Sequence, residues 1–415
     1  MLVNDNTILK FPLRVVLGFL IFTEILYFFG PIQFDVKPSI LLPLYLVIVN
    51  FALWLGYELG VKYHLPSKYR FSMTTTHIIL ILGLVLSVFK LKQMWASHGL
   101  PISINTLISG IMTPADTYFA ESTDPTTQSG GTITLLLSPL LWASLPLGVF
   151  KWKRLTPLYK IITVSIILIQ VISWLGIGTR KGLFDVIIIL VFVCIAACPN
   201  FITDKKLFRR FKRLFIFCFL LFVFYFIFSN LSRYGIGLSD IEDFDIQLEI
   251  RPFYVNYLPM WLVIVLFSIS IYLCQGYYAL SLALSLGIKE PTILGSSWFT
   301  MVIANKFGLN PMPDTYLADL QQWGIDPSIN WHTIYVWLAN DVTFIGVPFL
   351  IFIIGYLFAK TWVDSVRGQN EAAIPLFALF LIMIFYFYAN NQVLSFSFVP
   401  FIVWLALYFL SRIRR

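Results

Sequence analysis

Long uncharged apolar stretches recur along the chain, separated by shorter polar breaks. They cover 13–30, 38–60, 74–90, 132–150, 158–177, 182–199, 214–230, 257–287, 336–359, 373–389 and 393–411. Most approach the roughly 20 residues that carry a helix through the hydrocarbon of a bilayer. They are apolar on most faces, which lipid tolerates and water does not. The pattern predicts an all-α polytopic integral membrane protein with about 11–12 transmembrane helices. It forms a single transmembrane domain over 1–415, without a soluble domain, a low-complexity linker or an internal repeat. The first apolar run reaches Phe29 with no small-residue cleavage site behind it, so a retained helix is expected.

Composition sharpens this reading. The chain is 59% hydrophobic and 17% aromatic, and only 12% of its residues are charged. Soluble domains carry about twice that share of charge, and a soluble interior could not hide so many apolar stretches. The four cysteines, Cys194, Cys198, Cys218 and Cys274, lie in apolar runs or at their ends. No His or second Cys pair completes a metal set, so they read as small core residues.

The net charge of +8 does not imply a nucleic-acid partner, because it is distributed by loop. Most of the Lys and Arg fall in one alternate set of breaks. These hold Lys10 and Arg14; Lys62, Lys68 and Arg70; Lys151, Lys153, Arg154 and Lys160; Lys205 through Arg213; Lys360 and Arg367; and Arg412, Arg414 and Arg415. That bias places both termini on the cytoplasmic side. The opposite side receives the long loops 91–131, 231–256 and 288–335. Two cytoplasmic termini require an even number of crossings, whereas the pattern gives eleven segments. The 257–287 run is expected to enter and return, or Ser296–Phe307 to dip into the membrane. Long loops gathered on one side mark that side for chemistry.

Candidate chemistry sits at those external helix ends. Arg180 and Lys181 occupy the turn Gly176-Ile177-Gly178-Thr179-Arg180-Lys181-Gly182. Exposed backbone N–H groups, two cations and a following helix N-terminus suit phosphate oxygens; a plain interfacial turn with snorkelling cations is the simpler alternative. Arg233 and Arg251 bracket the acidic run 240–245, and Arg251 precedes the next span. Its guanidinium suits a second phosphate, or equally a salt bridge to Glu249. His332 follows a long polar loop and opens a span. An imidazole there suits general-base work, or an aromatic belt with Trp331 and Tyr335. Asp341 lies 2.5 turns further on, with a supporting role in packing or in an acceptor site. Asp185 is expected to pair locally with Lys181, and Glu24 to find a partner within the bundle. Tyr254, Tyr257, Tyr277, Tyr278, Trp298, Tyr316 and Trp323 are external aromatics able to stack on sugar rings or to anchor at the interface.

Two stretches carry a family resemblance. Tyr272-Leu-Cys-Gln275-Gly276-Tyr277-Tyr278-Ala-Leu-Ser-Leu-Ala is similar to a "sxGyyglslal" stretch of the oligosaccharide repeat unit polymerases, the Wzy-type O-antigen polymerase family. Trp331-His332-Thr333-Ile334-Tyr335 through Gly346 resembles another part of that family, where Trp-His-Thr opens a helix. The likeness covers about 250 to 360; in the N-terminal half it rests on topology and the Gly-Thr-Arg-Lys-Gly turn. The resemblance implies a GT-C-like glycosyltransferase at the periplasmic face of the bacterial inner membrane, needing no cofactor, nucleotide sugar or metal. Donor and acceptor would both be oligosaccharides linked to undecaprenyl pyrophosphate, with membrane lipid and a chain-length-determinant protein as partners. Under it, Arg180 and Arg251, with Lys181 and Arg233, hold the pyrophosphate, and His332 orients or deprotonates the acceptor hydroxyl. Tyr277, Tyr278, Trp331, Tyr335 and Asp341 bind substrate. An O-antigen ligase of similar architecture and a lipid-linked oligosaccharide flippase are the alternatives, with a non-catalytic scaffold more distant.

Overall fold

Helix starts fall where the sequence supplies a cap or a preset turn. Ser72 accepts the N–H of Thr75 ahead of a helix over Met73–Ser97, and Pro12, Pro157 and Pro252 sit in the first turns of three others. Such residues satisfy or dispense with backbone donors that no helix end can pair internally.

The computed structural model describes residues 6–34, 40–114, 132–198, 205–234, 248–328 and 330–413. In chain order it contains α1 (Phe11–Phe29), β1 (Ile32–Phe34), α2 (Leu41–Lys62), α3 (Met73–Ser97), α4 (Ile104–Met112) and α5 (Thr132–Phe150). These are followed by α6 (Pro157–Gly176), α7 (Lys181–Ala197), α8 (Lys205–Tyr234), β2 (Leu248–Ile250), α9 (Pro252–Tyr257) and α10 (Met260–Ser285). The last are α11 (Trp298–Lys306), α12 (Ile334–Val366), α13 (Ala373–Phe385) and α14 (Phe398–Ile413). Six of the described helices are long and apolar enough to cross a membrane. Large apolar side chains such as Val47, Phe51, Phe224 and Phe349 face outward, uncovered by protein. The protein is an all-α, multi-pass membrane protein.

Contacts between helix ends sort the bundle into two ends. At the basic end, Lys10 pairs with Glu58 and Lys151 with Glu371. Asp364 accepts His64, Tyr408 and Arg412 together. The Trp362 indole donates to the Ile8 carbonyl, and Ser67 donates to that of Ser411. The loops grouped by their Lys and Arg therefore do meet, and the two ends of the described chain lie together. At the far end, β1 pairs antiparallel with β2, Ile32 opposite Ile250, and Trp95 donates to the Ser173 carbonyl. Arg233's side chain, the acidic run 240–245 and residues 115–131 of the first long loop lie outside the described residues.

The 257–287 segment departs from its sequence-based expectation. It does not enter and return as two helices; it is the single helix α10, about 39 Å long at 1.5 Å per residue. Its N-terminal part follows α9, where the Tyr254 hydroxyl donates to the Phe29 carbonyl, and Phe267 and Ile271 pack on Ile32 of β1. Its C-terminal end meets Tyr316, whose hydroxyl donates to the Gly287 carbonyl. Tyr316 in turn packs on Phe344, which accepts the Tyr45 hydroxyl near the start of α2. Both ends thus belong to the far end. Among the described residues, α1, α2, α3, α5, α6, α7, α8, α12, α13 and α14 run between the ends. Among the described residues that number is even, as two ends on one side require. Ser296–Phe307, the other segment expected to dip, forms Ser297-capped α11 against the turn before α14.

The tightest pair is α2 against α12, antiparallel. A Cβ on Gly56 would lie 2.1 Å from the Phe352 carbonyl oxygen, and one on Gly355 2.5 Å from that of Leu53. Helices in lipid associate largely through such close small-residue contact.

The path of α10 makes a test. Single cysteines placed at Trp261 and at Ser285, in a cysteine-free background, are expected to react with a membrane-impermeant thiol reagent from the same side. Labelling from opposite sides would show a crossing.

Candidate functional site

The turn between α6 and α7 brings Arg180 to the head of α7 as its N-cap residue, after Gly178 has turned the chain at a φ of +65°. Glycine adopts that conformation without steric cost. Arg180 is only 2% exposed. Its guanidinium lies over two rings, 5.0 Å from the centroid of Phe226 on α8 and 5.2 Å from that of Tyr272 on α10. The next residue, Lys181, forms the expected ion pair with Asp185 one turn on, at 2.7 Å, and lies over the Tyr386 ring.

Arg180 and Lys181 head a cavity of about 190 Å³. Its walls are phenylalanines of α1, α7 and α8: Phe19, Phe22, Phe184, Phe219, Phe222 and Phe226. Tyr272, Tyr386 and Tyr388 complete it. Phe22 and Phe219 are among the outward-facing residues, so the cavity meets the lipid-facing surface. Two cations at one end of an aromatic trough suit an amphiphile with an anionic head. A third cation, Lys90 on α3, backs the cavity without lining it. Its ammonium lies over the Trp174 ring at 5.5 Å, within electrostatic reach of Lys181 and Asp185. The sequence reading passed over Lys90. It falls in an apolar run seven residues before the helix ends, and only the fold shows that α3 packs on α6, whose Trp174 separates Lys90 from the head of α7.

His332 lies across one aromatic pair from Arg180. Tyr272, which stacks on the guanidinium, meets Trp331 edge-on at 5.6 Å between centroids. The Trp331-His332-Thr333 segment is stitched down on all sides. The Trp331 N–H donates to Gln275 Oε1 on α10, the His332 N–H to Asn390 Oδ1, and the Asn390 N–H to the His332 carbonyl. Thr333 caps α12, as the Trp-His-Thr opening of a helix requires. Gly276 of α10 admits the 386–391 turn to this site, since a Cβ there would lie 2.0 Å from the Tyr388 carbonyl oxygen. Asn390 holds a φ of +57°, a conformation asparagine accepts more readily than most residues.

The imidazole itself is buried. Its Nδ1 is 3.0 Å from the Asn330 carbonyl oxygen, so that nitrogen carries the proton and donates. Nε2 is then left with a lone pair, and no partner for it exists among the described residues. Burial pushes the His332 pKa down to about 4, against the opposing pull of the Asn330 carbonyl and the Asp326 carboxylate. Asp326 stays ionised below the usual carboxylate range because the Ser328 hydroxyl and N–H both donate to it. A neutral imidazole with one bare nitrogen can accept a proton.

The other sequence candidates are placed as follows. Arg251 precedes α9 with its N–H on the Pro31 carbonyl, beside Tyr27, and does not line the Arg180 cavity. Tyr277 and Tyr278 are core residues: the Tyr277 hydroxyl bonds Thr23, and Tyr278 stacks on Phe34. Tyr335 is buried against Tyr45 and Phe387. Asp341 fastens the long loop, accepting the Thr292 hydroxyl and the N–H groups of Gly295 and Ser296. Its neighbour Asn340 accepts the Tyr316 N–H and donates to the Gly295 carbonyl. Their helix breaks two residues later, where Thr343 has a φ of 60°. Glu24 is held by Asn50 on α2.

Fold and site together define a multi-pass helical membrane protein with a cationic, aromatic cavity at one end of its bundle. No family model, curated protein or solved structure matches the chain.

The loop clamp is testable. Asp341→Ala strips three hydrogen bonds from a partly buried carboxylate site, at roughly 1 kcal/mol or more each. Protease cleavage within 288–330 is expected to accelerate about tenfold or more in membranes, with the rest of the bundle intact. Unchanged cleavage would show that the loop is held elsewhere.

Proposed function

We propose that this protein is a glycosyltransferase of the O-antigen polymerase type, joining repeat units carried on a polyprenyl diphosphate. One observation carries the reading: the Arg180 and Lys181 cavity and the bare Nε2 of buried His332 flank a single aromatic pair, Tyr272 and Trp331. A lipid diphosphate fits the first element and a sugar hydroxyl the second. The resemblance of the Tyr272–Ala283 and Trp331–Gly346 stretches to the family supports the same reading. So does the gathering of basic loops at the opposite end, which favours a non-cytoplasmic side for this site.

In this scheme the acceptor hydroxyl oxygen attacks the anomeric carbon of the donor glycan. A new glycosidic C–O bond forms as the C–O bond to the diphosphate breaks. The bonding electron pair leaves with the polyprenyl diphosphate, and the hydroxyl proton passes to Nε2 of His332. Arg180 and Lys181 meet the charge that develops on the leaving oxygen, in a water-poor setting where fixed cations act most strongly. The Asn330 carbonyl fixes the tautomer that presents Nε2, and Asp326 steadies the imidazolium that results. The phenylalanine trough takes the start of the polyprenyl chain. Arg251 lies on the ribbon side of α10, away from the leaving group.

Replacement in the native host tests this. His332→Ala and Arg180→Ala are each expected to cut polymerisation about 100-fold or more, the usual scale for losing a general base or a charge-stabilising donor. On gels the surface polysaccharide ladder then collapses to single repeats. A full ladder from either variant removes that residue's role; bare core with no repeat at all would identify a ligase instead. In vesicles, wild-type activity should hold through pH 6.5, where an ordinary imidazole protonates, and fall only as the pH nears 4. Loss centred near 6.5 would exclude the buried His332 as base.

A further inference from the structure

Behind the cavity, one carboxylate lies in the field of two ammonium groups. Asp185 is 6% exposed and holds Lys181 at 2.7 Å. Lys90 on α3 interacts electrostatically with both members of that pair. Among the described residues Lys90 has no ion pair or hydrogen bond; its recorded contact is the Trp174 ring. Trp174 leans on the first turn of α7, where a Cβ on Gly182 would lie 2.0 Å from the indole. That packing places the indole between the α3 lysine and the head of α7.

If Lys181 is to reach a phosphate, it must leave Asp185. Stripping a buried carboxylate of its only cation is strongly unfavourable. A second ammonium in the same electrostatic neighbourhood can offset that cost by moving in, and a cation over an indole is held weakly enough to move. An ionisable residue inside a membrane helix is itself a mark of function.

We propose that Lys90 is a positioning residue that takes over Asp185 when Lys181 turns to a bound polyprenyl diphosphate. Lys90 serves as the reserve counter-ion, Asp185 as the exchange point and Lys181 as the mobile ligand. The net charge of the trio and Arg180 stays constant through the exchange. The inference rests on the cavity being a lipid diphosphate site.

The experiment measures binding of farnesyl diphosphate to the full-length protein in nanodiscs. Lys90→Gln is expected to weaken binding about tenfold, close to the effect of Lys181→Gln, the scale of one charge-assisted hydrogen bond. The double variant Lys90→Gln/Asp185→Asn should return to near wild-type affinity, because without the carboxylate Lys181 needs no substitute. A simple packing role for Lys90 would not be rescued this way. Wild-type affinity in Lys90→Gln overturns the proposal, and so does a double variant as weak as the single one. Should Lys90→Gln fail to assemble, Asp185→Asn alone carries the test: tighter binding supports the exchange, and unchanged binding overturns it. Wild-type protein that does not bind farnesyl diphosphate at all defeats the cavity reading itself. Binding that survives in wild type but is indifferent to Lys90 defeats only the exchange.

Discussion

A guanidinium withdrawn from water must be given other company. For Arg180 that company is two aromatic faces, Phe226 from α8 and Tyr272 from α10. Desolvated cation–π contacts contribute about 2 kcal/mol or more, and here they constrain geometry as much as energy. Three helices must converge on one side chain. The position of α10 follows, since Tyr272 has to lie against the head of α7. Trp331 then meets Tyr272 edge-on, and His332 is the next residue along. The far end of the bundle is organised outward from one buried charge.

The second constraint is backbone accounting in α12. Apolar surroundings leave no water to satisfy a freed peptide group. The helix nevertheless breaks at Thr343, whose φ of 60° is unusual for a β-branched residue. The Asn340 carbonyl accepts both the N–H and the hydroxyl of Thr292. The adjacent side chains of Asn340 and Asp341 collect Tyr316, Gly295 and Ser296. The break and the loop stabilise each other, and the outer piece of α12 is held rigidly enough to present His332. Local strain kept in place by surrounding contacts is a common feature of functional regions.

Much of this was legible in the residue order. Apolar runs placed the spanning helices to within a few residues, because lipid imposes length and composition directly. Loop charge sorted the ends correctly, as the Lys10, His64, Lys151 and Arg412 contacts show. The Lys181–Asp185 pair was local enough to read. The failures share a cause. Hydropathy measures apolarity and carries no direction, so α10 reads as an in-and-out pair although it is one helix whose two ends both contact the far end. Tyr277 and Tyr278 look like surface aromatics on the expectation of an external segment, yet α10 presses them into the core. Lys90 and Asn390 acquire meaning only through neighbours about 90 and 60 residues away in sequence, contacts no local pattern encodes.

Charge is handled differently at the two ends, and that difference is the strongest argument for where an anion would bind. At the basic end, buried cations meet carboxylates: Lys151 has Glu371, and Asp364 gathers His64 and Arg412. Those pairs tie loops together and leave little field to attract a ligand. At the far end Lys181 pairs with Asp185 in the field of Lys90, while the neighbouring Arg180 is buried over two aromatic rings. The far end thus holds buried cations beside aromatic walls of low dielectric, where each charge acts over a longer range than one exposed to solvent. A count of lysines and arginines marks one end of such a bundle; the balance of each cluster against its own carboxylates, together with its burial, decides where an anion would be drawn.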